Sequence, residues 1–352
     1  MKGGAFIKKY VYILLLLLLL LLSALFYKQT GIAVNNAINT CLTVIIPSMY
    51  GFLIVSTLIV KSDAYVILGR PFGFMSEKLF HVPQNLFSVY LLSSVSGYPV
   101  GAKLLSELEN KGKITKKQYE NMLCYCYSGG FSFIVGTVGA RLYSDIRIGL
   151  IIFSSITLSN LIIAFFMRKS MGKPVSCKEN VKITINSDII ISSIQSAARA
   201  IFQMCIIITA FSFLFSIIES CVGERLSSSD SYSRCIIAAL FEISRIIDLS
   251  GENYSYIPLL CFLLSFGGIC VIMQIIGIGE GRVNILKFVL IRLAAAAISS
   301  LISLGFVYIL FFKSCLPVFA PMQARLTEYS IIPSIFMIIM TILLFLKKDW
   351  TK

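Results

Sequence analysis

Of the 352 residues, 57% are hydrophobic and 14% charged, against roughly 25% charged in an ordinary soluble domain, which excludes a water-soluble globular protein. The 31 Lys and Arg exceed the 17 Asp and Glu. They gather in short loops (Lys8 and Lys9, Lys103 to Lys117, Arg168 to Lys182, Lys347 and Lys348), the positive-inside pattern of a membrane protein rather than a basic folded face for nucleic acid.

Tyr10 to Tyr27 carries nine consecutive leucines, Leu14 to Leu22, behind a basic start. The run is long for a signal segment and no A-x-A site follows, so a transmembrane anchor is expected. Asn36 to Val60 starts amphipathic, with Ala37, Ile38, Cys41, Val44 and Ile45 on one face and Asn36, Asn39, Thr40 and Thr43 on the other. Pro47 removes a backbone donor, so a kink is expected there.

Leu86 to Ala102 is apolar but short and interrupted, with Lys78 and Lys103 on its two sides, which suggests a re-entrant segment. At its end Ser96, Gly97, Tyr98, Pro99, Val100, Gly101 and Ala102, with Lys103 next, combine glycines for unusual dihedrals with a proline that cannot donate. Two readings stand. Either the helix breaks and restarts, aiming free N–H groups at an anionic solute, or a kinked helix ends at a lysine that snorkels to water.

Met122 to Ala140 repeats the pattern at Tyr127, Ser128, Gly129, Gly130 and Phe131, where small residues serve either a break or close helix packing. A regular span follows at Ile148 to Met167, then a polar connector, Arg168 to Ser187. Asp188 to Ser220 would reach about 50 Å as a helix, too long for one upright crossing. Its start sets Ile190, Ile194, Ala197 and Ile201 against Ser193, Ser196 and Arg199, and is expected at the interface or against a groove.

Cys235 to Ile247 carries Glu242, an ionisable group in an apolar segment and so a functional candidate. Arg245 is a local partner for it, and a structural ion pair is the other reading. Tyr256 to Ile278 is broken at Gly267 and Gly268, with Gln274 offering an amide. The glycines at 277, 279 and 281 lack the strand a phosphate loop needs. Apolar spans at Leu286 to Phe312 and Ile331 to Leu346 complete about seven to nine crossings, with both termini cytoplasmic.

Six of the ten cysteines, Cys41, Cys124, Cys126, Cys205, Cys261 and Cys270, lie in apolar stretches as small hydrophobes. Cys124 and Cys126 lack a second pair at ligand spacing and His81 stands alone, so no metal site is expected. No Ser/His/Asp set, catalytic carboxylate pair or P-loop is present, so no enzyme is expected.

The halves are weakly alike: a shift of 160 residues sets Ala37 on Ala197 and Ser56 on Ser216, and Leu91-Leu92-Ser93 before Gly97 parallels Leu263-Leu264-Ser265 before Gly267. Paired interrupted segments point to a transporter's binding site.

The run Ser96 to Lys103 resembles the SGYPxGAK stretch of the YlbJ-type sporulation integral membrane proteins. Pro47-Ser48, Gly136-Thr137-Val138-Gly139, Glu242-Ile243, and Phe266-Gly267-Gly268 with Gln274 fall in that family's order, over roughly residues 36 to 310. The resemblance implies a nucleoside-recognition (Gate) fold related to concentrative nucleoside transporters, a place in the cell or forespore membrane of an endospore former, and dipicolinate as the natural cargo. Tyr127 to Phe131 departs from the family, which often has an asparagine pair, a small residue, Gly and Pro there. Cys270 stands where serine is common.

The expectation is an all-α polytopic transmembrane helical bundle with discontinuous or re-entrant helices and an internal two-fold repeat. Its parts are an anchor (1–30), a first Gate-like repeat (31–170), a polar connector (171–187), a second repeat (188–312), and a C-terminal helix and tail (313–352). Its partners are the bilayer, a small solute and, as a candidate, further copies of itself, and no cofactor is expected beyond a coupling Na+ or H+. Solute-contacting candidates are Ser96, Gly97, Tyr98, Pro99, Gly101, Lys103, Ser128, Gly129, Gly130, Glu242, Gly267, Gly268 and Gln274. The alternatives are a nucleoside transporter and a non-transporting scaffold or assembly factor of the spore envelope.

Overall fold

The computed structural model describes residues 3–74, 76–77, 84–170, 183–222, 231–248, 254–279 and 283–309. The expected C-terminal helix, most of the 171–187 connector, Lys78, His81 and Gly281 lie outside the described residues.

Every regular element among the described residues is helical. The chain opens with α1 (Gly3–Leu25), whose leucines remain mostly exposed. Next, α2 (Tyr27–Thr40) and α3 (Ile46–Lys61) form one long helix joined by a π-helical turn at Cys41–Ile45. The turn answers to Pro47, whose ring would collide with the carbonyl four residues earlier, and widening the preceding turn moves that carbonyl aside. The short α4 (Tyr65–Gly69) leads to α5 (Gln84–Ser96), α6 (Val100–Asn110) and α7 (Lys116–Leu123). A π-helical stretch, Ser132–Leu142, and α8 (Ile146–Met167) close the first half.

The second half runs α9 (Ser187–Val222), α10 (Ser231–Phe241), a 3-10 turn (Ile243–Asp248), α11 (Ile257–Phe266), α12 (Gly268–Gly279) and α13 (Ile285–Val307). Among the described residues five stretches are long and apolar enough to cross a bilayer: Tyr27–Lys61, Ile146–Ser170, Ser187–Val222, Tyr254–Gly279 and Ile285–Val307. The protein is a polytopic helical membrane bundle.

Two helix pairs hold it together. The long α2–α3 unit packs along α9, and α8 packs along α13, which also lies on α11. The α8–α13 seam is made of small residues, as close helix approach in lipid requires: Ser159 Oγ donates to the Ala295 carbonyl at 2.6 Å, while Ala295, Ala296 and Ser299 are fully buried.

At the start of α9 the buried stripe takes residues from both faces, with Ile201 buried and Arg199 exposed along a groove. Ser193 and Ala197 are fully buried while Ile194 is 41% exposed. Small side chains here let the Lys61 and Lys103 ammonium groups reach the Ser192 and Ser196 carbonyls.

Candidate functional site

Backbone that leaves the helix within a membrane must find polar partners in protein, and the interrupted segments supply them to one another. Helix α5 stops at Gly97, whose φ of +87° is a left-handed conformation suited to glycine. Residues 98–99 form a turn, and α6 restarts at Val100.

After α7 the chain unwinds through Cys124 to Gly130, with Gly130 at φ +79°. These two breaks touch backbone to backbone. A Cβ on Gly101 would fall 2.0 Å from the Cys126 carbonyl oxygen, so only glycine admits the approach.

The third break follows α11, where Gly267 and Gly268 both have positive φ. The last carbonyls of α11 carry the helix's partial negative charge, and three elements donate to them. The Tyr98 hydroxyl donates to Leu264 at 2.5 Å, the Tyr127 hydroxyl to Phe266 at 2.8 Å, and the Arg292 guanidinium to Ser265.

Arg292 is fully buried. It donates also to the Cys124 carbonyl at 3.0 Å and to Asn160 Oδ1 at 2.8 Å, and its Cζ lies 4.4 Å from the Tyr127 ring centroid. Asn160 in turn donates to the Tyr127 carbonyl at 2.8 Å. One cation thus satisfies two interrupted ends, which offsets the roughly 3 kcal/mol cost of placing arginine mid-membrane. Arg292 and Asn160 are absent from the sequence-based candidates, although a lone arginine in an apolar 23-residue helix was the available signal.

The fourth break is at Glu242, between α10 and the 3-10 turn. Its carboxylate accepts the Ser244 N–H at 2.9 Å and is buried. Glu242, Ser244, Gln274, Cys270, Tyr98 and Gly129 line a cavity of about 30 Å³ together with Ile45 and Met49 of the long unit and Met204 and Ile208 of α9. The buried Gln274 Oε1 has no hydrogen-bond partner.

Four expected residues, Tyr98, Gly129, Glu242 and Gln274, therefore meet at one cavity. Gly97 stands behind Met49, and Gly267 behind Tyr127. Gly268 packs on the Ala239 and Leu240 carbonyls. Ser96 bonds to Ser56, and Ser128 Oγ is buried without a partner. Pro99, Gly101 and Gly130 shape the breaks without lining the cavity.

Lys103 lies elsewhere: its ammonium is bound to the Ser196 carbonyl on α9. Burial, with Lys61 and Arg199 adding repulsion, pushes it down to about 8 despite the attraction of Glu107.

The chain is 27% identical over 158 residues to the sporulation integral membrane protein YlbJ of Bacillus subtilis (strain 168). It is a multi-pass membrane protein similar in part to YlbJ. The match covers 45% of this chain and 38% of the relative's length. No protein-family model and no solved structure matches the chain.

Proposed function

We propose that this protein is a membrane transporter of a small solute, acting in spore maturation, with the cavity at Glu242 as its central binding site. The observation that carries this reading is the convergence of interrupted segments from both halves on one cavity that holds a buried carboxylate and an unpartnered amide oxygen. Interrupted helices meeting inside a bundle are the usual construction of secondary-transporter sites.

The associated domain reading takes 31–170 and 188–312 as two Gate-like repeats. Each has a long helix, two interrupted segments and a closing span in that order, with the long helices paired and the closing spans paired. The sporulation context comes from the name of the partly similar protein.

The proposed cargo is a small anion, dipicolinate being the candidate, and the chemistry of the cavity adds a condition. A carboxylate repels an incoming anion, and the repulsion is strong where water is scarce. An anion therefore enters only if Glu242 is neutralised by a proton or a Na+ ion, which makes the proposed transport cation-coupled.

At about 30 Å³ the cavity holds little more than water, so the described conformation is closed to any aromatic dicarboxylate or nucleoside. The same small volume favours, as a second reading, a scaffold whose tight interior serves packing alone.

The test is uptake of labelled dipicolinate, beside a nucleoside panel, into liposomes with imposed Na+ or H+ gradients. Saturable, gradient-driven uptake that loses its gradient dependence in Glu242→Gln is expected. Folded protein that moves no solute under either gradient would favour the scaffold.

A further inference from the structure

A second, larger concavity lies on the membrane face of the long-helix pair. The groove runs between α2, the π-helical turn and α9, with a volume of about 950 Å³. Its walls are hydrocarbon: Ile38, Leu42, Phe202 and Ile206 are all more than 40% exposed. Among its lining residues the sole charge is Arg199. From Arg199 to Phe213 the wall of α9 extends about 21 Å, somewhat more than one leaflet's half of a roughly 30 Å core.

Arg199 has no carboxylate partner among the described residues. It stands three positions beyond Ser196 on α9, hence on the neighbouring turn to the carbonyls that receive Lys61 and Lys103. Among the described residues Glu107 is the carboxylate set against these cations, through a long 3.5 Å bond from Ser196 Oγ, and its Oε2 is buried without a partner. Lys111 is already paired with Asp63 at 3.0 Å. This end of the groove therefore carries uncompensated positive charge, and the rest of it is greasy.

We propose that the groove is a binding site for an anionic phospholipid, with an acyl chain lying between α2 and α9 and the headgroup phosphate on Arg199. Basic positions between membrane helices at the interface are the recognised setting for anionic headgroups. The bilayer alone would fill the groove with any lipid, and what the cationic end adds is selectivity for charge. The lowered proton affinity of Lys103, caused by burial and by Lys61 and Arg199 nearby, agrees with a cluster that lacks an anion. The site is separate from the Glu242 cavity and stands whether or not the protein carries solute.

The experiment reconstitutes the full chain in vesicles of equal phosphatidylglycerol and phosphatidylcholine with identical acyl chains, extracts it in detergent, and counts retained lipid by native mass spectrometry. Retention of phosphatidylglycerol about fivefold over phosphatidylcholine is expected. Arg199→Gln should abolish the preference, and Ala210→Trp, which fills the groove, should displace the lipid, both with unchanged thermal melting.

Equal retention of the two lipids, or an unchanged preference in Arg199→Gln, would overturn the proposal. So would inorganic phosphate displacing phosphatidylglycerol stoichiometrically, which would make the cations a free-anion site. A photo-crosslinker at Leu42 that captures residues 331–346 instead of lipid would give the groove to the chain itself and sink the idea equally.

Discussion

A Cβ placed on Gly97 would lie 3.1 Å from the Gly130 Cα, and one on Gly130 would lie 3.0 Å from the Gly97 Cα. The two breaks of the first half are thus in backbone contact, each residue with a positive φ. Gly97→Ala or Gly130→Ala adds strain and overlap together and should cost about 2–3 kcal/mol. Gly51 in α3 has nothing within 4 Å of its Cβ position, so Gly51→Ala should be neutral or slightly stabilising. Thermal melting in one detergent measures all three, and equal behaviour would contradict the close contact.

Arg292 makes the largest single prediction. Arg292→Met leaves the ends at Cys124 and Ser265 without their charged donor, and hydrogen bonds to a charged group contribute about 1.5–3 kcal/mol each. A loss of at least about 3 kcal/mol is expected. Arg292→Lys should recover only part of it, because a single ammonium cannot span both ends as the guanidinium fork does. Full recovery by lysine would show that charge alone matters.

Tyr127→Phe removes the donor to the Phe266 carbonyl while keeping the ring contacts with Arg292 and with Phe288, whose centroid is 5.5 Å away. The buried carbonyl then costs about 1–2 kcal/mol. A melting temperature equal to that of the native protein would mean another donor takes over.

Cys41 of the π-helical turn and Cys205 of α9 are free thiols that line the same groove. Copper phenanthroline should convert them to an intramolecular disulfide, seen as a two-dalton loss and as protection from maleimide. Cys205→Ser should abolish it. Free thiols after full oxidant treatment would argue against the described pairing of these helices.

Lys103 supplies a pH dependence. Its folded-state affinity for a proton falls to about 8, so between that pH and the ordinary lysine range the unfolded chain binds a proton that the folded one does not. Stability from this residue therefore rises as pH rises through that window. Lys103→Met should flatten the rise, as read by melting at stepped pH.

The interrupted helices were legible because the signals are local: Gly97 and Pro99 halt one helix, Gly267 another, and each sits within its own segment. The Pro47 kink was legible for the same reason, although its form, a widened turn, depends on the carbonyl it must avoid. Arg292 was not, since its partners Cys124 and Asn160 stand 168 and 132 residues away. Lys103 follows the Gly97 break closely, and that proximity in sequence is what points it toward a solute. Its side chain instead points to α9, a direction set by how α6 rotates against its neighbours.

The cavity at Glu242 lies along a seam between two kinds of bonding. On one side, Tyr98, Tyr127, Asn160 and Arg292 cross-tie the interrupted segments to α8, α11 and α13 by directional bonds. On the other, Met49, Met204 and Ile208 touch it only through hydrocarbon. Sliding thioether and alkyl groups apart forfeits small dispersion terms, whereas parting the cross-ties strands polar groups in a dry interior. The cavity is therefore the least bonded stretch of this seam, and the Ser56–Ser96 and Lys103–Ser196 bonds mark where α3 and α9 stay tied to α5 and α6.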